Sequence, residues 1–123
     1  MYEAKTMRVE VLWFAGCPHH VAARAVLERV LASRGIDPAA VQSVEVDPAS
    51  AETVRFPGSP TIRIDGRDVD PGFREPDSFS LSCRVYPTPL GMRGIPPAPW
   101  VEDAIDSALS RETRSRSVND DHR

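Results

Sequence analysis

The feature that most constrains the fold is a short apolar stretch near the start of the chain, Arg8–Phe14, which reads RVEVLWF. Valine, leucine, tryptophan and phenylalanine occupy both sets of alternating positions, so neither face of the predicted strand is mainly polar. Such a strand is typical of the centre of a sheet that is covered on both faces. A chain of 123 residues is long enough to bury it in one small α/β domain.

The elements predicted around this strand are marked by apolar periodicity and by cap or turn residues. Gly35 ends the first helix, Asp47-Pro48 caps and starts a short helix, and Asp65-Gly66 forms a two-residue hairpin turn. The predicted elements, in order, are a strand at 8–14, a helix at 18–33, a strand at 43–47, a short helix from 48 to about 54, a strand at 61–65, an antiparallel return at 67–69 and a last helix from about 97 to 110.

Two segments lie outside this pattern. Most of the twelve prolines fall between Pro57 and Pro99, so residues 71–99 are predicted to be an insertion before the last helix. Within it, SFSLSCRVY (residues 78–86) is either an added strand or ordered loop. From Arg111 the chain has almost no apolar residues, which predicts a disordered tail over 111–123 after a domain at 7–110.

Charge and hydropathy exclude two classes of partner. The net charge of −3 does not attract a phosphate backbone, which argues against nucleic acid. The longest apolar run, Val11–Gly16, is too short to cross a bilayer, and the first ten residues lack the apolar core of a secretory signal. The sequence therefore predicts a cytoplasmic protein with no membrane partner. Because thiols stay reduced there, Cys17 and Cys83 are not predicted to form a structural disulfide.

Cys17 is the first candidate for chemistry, because it stands where the strand leads into the helix. A free cysteine is often only a small buried apolar residue. At a helix N-terminus, however, unpaired N–H groups and the helix dipole favour a reactive thiolate. His20 would share that helical face and assist by charge or proton transfer, whereas His19 is expected to face solvent. An ordinary surface position is equally compatible with His20 and is the favoured interpretation of His19.

Cys83 has two interpretations. If residues 78–86 form a strand, Leu81, Cys83 and Val85 share one face and Cys83 is a buried core residue. Alternatively, Cys83 is the thiol that resolves a disulfide formed on Cys17. The two cysteines and two histidines also suggest ligands for a soft metal, but their spacing matches no paired-ligand motif. The sequence therefore predicts no metal site and no cofactor.

Taken together, these motifs resemble the thioredoxin-like fold. The lead-in FAGCPH, residues 14–19, is similar to that of thioredoxin-like disulfide oxidases of the Cys-Pro-His-Cys type, and Ser59-Pro60-Thr61 is similar to the family's loop with a cis-proline. The chain also looks like a group of small bacterial thioredoxin-like proteins, some of which carry the label alkylmercury lyase. The resemblance covers roughly residues 8–70 and 97–110. It implies a three-layer β-α-β-α-β-β-α sandwich with an insertion before the last helix.

The resemblance also implies a function. Cys17 would be the nucleophile of a thiol–disulfide oxidoreductase, in thiol–disulfide exchange or in the reduction of another soft electrophile such as a peroxide. Ser59, Pro60 and Thr61 would form the edge at which a substrate docks. The implied partners are a thiol or disulfide substrate, glutathione or a partner protein. Two alternatives stay open: a module that binds a soft metal or a partner without turnover, and organomercurial cleavage of the alkylmercury lyase kind.

One position departs from the family pattern. His20 stands where the family has its second cysteine, so disulfide exchange within the motif cannot take place. An intermediate on Cys17 would have to be resolved by Cys83 or by an outside thiol such as glutathione.

Overall fold

The computed structural model describes residues 7–120, with side chains up to Glu112, and has the α/β architecture that the sequence predicts. The elements are β1 (Val9–Trp13), α1 (His20–Ser33), a 3-10 turn (Pro38–Ala40), β2 (Val41–Glu45), β3 (Thr61–Ile64), β4 (Arg67–Asp68), β5 (Tyr86–Thr88), β6 (Gly91–Arg93) and α2 (Ala98–Asp120). Four strands form a mixed sheet in the order β2-β1-β3-β4, and β5 and β6 form a separate hairpin.

β1 lies inside the sheet, as its apolar sequence predicts. It pairs in parallel with β2, from Val9 opposite Val41 onward, and antiparallel with β3, from Val9 opposite Ile64 onward. Its alternate side chains enter two different clusters, because successive residues of a strand point to opposite faces. The structure therefore buries both faces of β1.

Both helices pack on the same face of the sheet. The apolar stripes of α1 and α2 meet β1 and β3 there, and this cluster is the larger of the two. Its buried members are Val9, Val11, Ala23, Val26, Leu27, Val30, Leu31, Val41, Ile62, Ile64, Val69, Val101, Ile105 and Ala108.

The opposite face carries no helix in the described part of the chain, which corrects the predicted three-layer sandwich. Residues 48–54, predicted as a short helix, instead belong to a run of consecutive turns that extends to Arg55. The Asp47 carboxylate does accept the predicted cap bond from Ser50 N, at 2.8 Å. Only eight residues separate Pro48 and Pro57, and so short a stretch gains little from helical hydrogen bonds against the cost of nucleation. Phe56 anchors these turns in the second cluster, with Leu12, Val46 and Ala51.

The predicted turn residues behave as expected. Asp65 and Gly66 both have positive φ, 52° and 79°, which is the geometry of a tight hairpin turn, and β4 returns antiparallel to β3. Gly35, with φ 72°, follows the last turn of α1, where its N–H donates to Ala32 O.

α2 is longer than predicted. It runs to Asp120, ten residues beyond the predicted end near Ser110, because no glycine or proline interrupts the chain after Pro99. The predicted tail at 111–123 therefore overlaps the end of α2, and its residues 121–123 lie outside the described residues. Within residues 7–120, no helix is long and apolar enough to cross a membrane.

An ion pair connects the end of α1 to α2. Arg34 donates two hydrogen bonds to Asp106, at 3.0 Å from Nε and 2.9 Å from Nη2. The bond from Arg34 lowers the pKa of Asp106 below its ordinary value. A carboxyl whose pKa falls on folding stabilises the folded state above its unfolded pKa, and this contribution disappears as the pH falls through the folded pKa.

We therefore expect Asp106→Asn to lower the urea midpoint of unfolding at pH 7. At an acidic pH below the folded-state pKa of Asp106, the carboxyl of the parent protein is protonated in both states, so the two proteins should unfold at the same midpoint. Urea titrations at both pH values measure this difference. An equal decrease at both would show that the ionised carboxylate is not what stabilises the contact.

Candidate functional site

Cys17 lies in the turn between β1 and α1. Its N–H donates to Phe14 O at 3.0 Å. α1 was predicted to start at Pro18, but it begins at His20 with His19 as its N-cap residue. Cys17 therefore precedes the helix by three residues instead of opening it. The residue is only 5% exposed, although neither apolar cluster of the described residues includes it.

The two histidines after Cys17 contact other parts of the fold. The imidazole of His20 stacks on the indole of Trp13, with ring centroids 4.1 Å apart and planes inclined by 7°. His19 is exposed but lies against Gly94, where a Cβ atom would come within 2.6 Å of its ring. The stacking gives His20 a structural partner, and its role in proton transfer stays a prediction.

The loop Ser59-Pro60-Thr61 is buried next to the turn of Cys17. All three residues are buried, and the Ser59–Pro60 peptide bond is cis. The Ser59 hydroxyl accepts a hydrogen bond from Phe14 N at 3.4 Å, and the Thr61 hydroxyl donates to Gly58 O at 2.7 Å. The loop is thus attached to the turn that carries Cys17.

Cys83 lies directly beside this loop. Ser59 N donates to Ser82 O at 2.8 Å and Arg84 N donates to Ser59 O at 2.9 Å, so that Ser59 and Cys83 form a parallel β-bridge. Neighbouring strands are about 4.8 Å apart, and that is the separation expected between these two backbones. The interpretation of Cys83 as a buried strand residue is wrong, because Cys83 is exposed and Val85 is 52% exposed.

A buried ion pair holds the segment of Cys83 in place. The guanidinium of Arg84 donates to both carboxylate oxygens of Asp68, at 2.6 and 3.0 Å, and to the Thr61 hydroxyl at 2.9 Å. The side chains of Arg84 and Asp68 are only 8% and 3% exposed. Burial opposes the charge of Arg84, but the hydrogen bond to Asp68 and the surrounding negative groups leave its pKa raised.

Tyr86 attaches the same segment to the loop a second time. Its hydroxyl donates to Pro60 O, and the guanidinium carbon of Arg84 lies 4.4 Å from the centre of its ring. Burial raises the pKa of Tyr86, so its hydroxyl stays protonated and able to donate. No local pattern in the sequence marks Asp68 or Tyr86 as part of this site. Asp68 meets Arg84 across 16 residues of chain, and Tyr86 meets Pro60 across 26.

A cavity of about 300 Å³ opens beside Cys83. Its lining residues come from the loop before Ser59, from the end of the β4 region at Asp70 and from the insertion; they are Pro57, Asp70, Gly72, Phe73, Arg74, Pro76, Cys83, Arg84 and Val85. Among the described residues, no group of three or more histidine, cysteine, aspartate or glutamate side chains is placed to hold a metal ion.

Gly58 allows the close approach between the loop and the segment of Cys83. It has φ 130°, and a Cβ atom there would lie 3.0 Å from Arg84 Cβ and 3.3 Å from Ser82 O. Gly91 has a similar φ of 108° but no atom within 4 Å of an added Cβ. The two glycines therefore have similar φ angles, but only Gly58 has atoms of another segment packed against it.

We expect Gly58→Ala to destabilise the fold by about 1–3 kcal/mol more than Gly91→Ala, since both carry backbone strain and only the first carries a steric clash. Urea unfolding measures the difference. Amide exchange at Ser59 and Arg84 should quicken only in Gly58→Ala. Equal losses in the two variants would mean that the contact with residues 82–84 is not tight.

Comparison of the chain with models of protein families, with curated proteins and with solved structures finds no match.

Proposed function

We propose that this chain is a thioredoxin-like thiol redox protein in which Cys83 and Cys17 are the two thiols of a disulfide exchange. The observation that carries the proposal is the bridge between Cys83 and Ser59. The Ser59 hydroxyl accepts from Phe14 N, and Phe14 O accepts from Cys17 N. The segment of Cys83 and the turn of Cys17 are thus hydrogen-bonded to the same buried serine, the first through its backbone and the second through its hydroxyl.

Three features support the thioredoxin-like part of the proposal. β1 is paired in parallel with β2 and antiparallel with β3. A cysteine-containing turn connects β1 to α1, and a loop with a cis Ser59–Pro60 bond leads into β3. The missing helix at 48–54 is the main departure from the fold that the resemblance implies.

Exposure suggests the order in which the thiols act. Cys83 is exposed and is accessible to a disulfide from solution, whereas Cys17 is buried. In the proposed first step the Cys83 thiolate attacks one sulfur of a disulfide RSSR, the S–S bond of RSSR breaks, and one thiolate leaves. Cys83 then carries a mixed disulfide with the remaining RS group.

In the second step the Cys17 thiolate attacks the sulfur of Cys83 and displaces the second thiolate. The products are a Cys17–Cys83 disulfide and two molecules of RSH, so the protein loses the two electrons that the substrate gains. An external dithiol, or two monothiols such as glutathione, reduces the protein disulfide and completes the cycle.

Mapping of the oxidised protein tests this scheme. We expect incubation with oxidised glutathione, followed by alkylation and peptide mass spectrometry, to give a peptide pair joined through Cys17 and Cys83, within one molecule. A reducing dithiol should restore both free thiols. If the protein accumulates only a stable glutathione adduct on Cys83, the two-thiol exchange is wrong.

A further inference from the structure

We infer that the substrates of this exchange are small disulfides and not disulfides within extended polypeptides. The inference rests on the proposed function and names its substrate class. An extended peptide binds at a sheet edge through free backbone N–H and C=O groups. Beside Pro60 those groups belong to Ser59, and both are already bonded to residues 82 and 84 of the same chain.

The segment that occupies this edge is firmly attached. Arg84 in this segment makes a bidentate ion pair with the buried side chain of Asp68. Two residues further on, the hydroxyl of Tyr86 donates a hydrogen bond to Pro60 O. Displacing it far enough to admit another chain would separate the two charges and expose Tyr86, which is 0% exposed. Separation of a buried ion pair is costly. A polypeptide therefore has to compete with a well-anchored internal segment of the same chain.

A small disulfide has a route that does not need this edge. The cavity beside Cys83 has a volume of about 300 Å³, at the lower end of the range of small-ligand sites. Arg84 lies in its wall but is engaged by Asp68, whereas Arg74 is exposed at its margin. Because Asp68 and Asp70 both pair with Arg84, Arg74 is the lining arginine that can contact a carboxylate of the substrate, and we expect the cavity to favour small disulfides that carry carboxylates over neutral ones.

The experiment measures how fast the reduced protein forms a mixed disulfide on Cys83, by quenching with acid and mass spectrometry. Three probes are compared: oxidised glutathione, neutral hydroxyethyl disulfide, and a disulfide-linked dimer of an extended ten-residue peptide. Each rate is divided by the rate of the same probe with free cysteine, which removes differences in intrinsic reactivity. Arg74→Ala is the test variant, and Arg67→Ala, an exposed arginine that does not line the cavity, is its control.

We expect both small probes to react at least ten times faster than the peptide dimer after this correction. Arg74→Ala should slow oxidised glutathione about three-fold or more and leave hydroxyethyl disulfide unchanged, while Arg67→Ala should change neither. A peptide dimer that reacts as fast as the small probes would overturn the inference. In that case the exchange itself stands, because the Cys17–Cys83 disulfide still forms.

Failure of the proposed function has a different signature. It would appear as the absence of a Cys17–Cys83 disulfide with every probe, whatever the relative rates on Cys83. That result would remove the exchange and, with it, the assignment of a substrate class.

Discussion

Cys83→Ser should lower the rate at which the protein reduces hydroxyethyl disulfide by on the order of 100-fold or more, to the background of the buffer. The reason is chemical, since a serine hydroxyl cannot form the mixed disulfide that begins the exchange. The measurement is the amount of free thiol released by reduced protein in a single turnover. The parent protein should release two thiols for each protein molecule.

Cys17→Ser should stop the same reaction halfway. Cys83 can still attack the probe, so one thiol is released and one adduct remains on Cys83, but no internal thiol displaces it. The two variants thus separate the attacking thiol from the resolving thiol. The opposite pattern, with an adduct in Cys83→Ser and none in Cys17→Ser, would assign the attack to Cys17 and reverse the proposed order.

The second large effect is expected at the buried ion pair. Arg84→Ala should lower the free energy of unfolding by about 3–5 kcal/mol, because it leaves the carboxylate of Asp68 buried without its counterion. It should also release the segment of Cys83, so that amide exchange at Ser59 quickens. Urea unfolding and hydrogen exchange measure these two consequences in the same variant.

Two further variants identify the cause of the loss of stability in Arg84→Ala. Adding Asp68→Asn to Arg84→Ala should recover part of the stability, since the unpaired charge is then removed. Arg34→Ala removes an arginine from a much more exposed pair with Asp106, and surface ion pairs contribute little. If Arg84→Ala costs no more than Arg34→Ala, the pair with Asp68 does not anchor the segment.

Predictions made from neighbouring residues were the most successful. The apolar run of β1, the periodic stripe of α1 and the Asp65-Gly66 turn are all where the sequence places them. Each depends on side chains within a few positions of one another, so propensity and burial act together. The short helix predicted at 48–54 is wrong. The cap bond at Asp47 forms as predicted, but too few residues follow it to complete a helix.

The sequence identified the residues of the candidate site but not how the fold arranges them in space. Cys17, Cys83 and the Ser59-Pro60-Thr61 loop could be singled out by residue type and by resemblance. Their exposure could not be predicted in the same way. In the structure Cys17 is buried and Cys83 is exposed, which is the reverse of an accessible Cys17 and a buried Cys83. Burial depends on which segments cover a residue, and the covering segments come from distant parts of the chain.

Local sequence was therefore enough to specify an α/β chain with a buried β1, a cysteine-containing turn and a tight hairpin, because caps, turns and apolar periodicity act between near neighbours. The position of Cys83 beside Ser59 arises only in the folded molecule. It depends on backbone hydrogen bonds, which every residue type can form and which therefore leave no pattern in the sequence. It also depends on the ion pair of Arg84 with Asp68, which forms only where β4 and the insertion pack together.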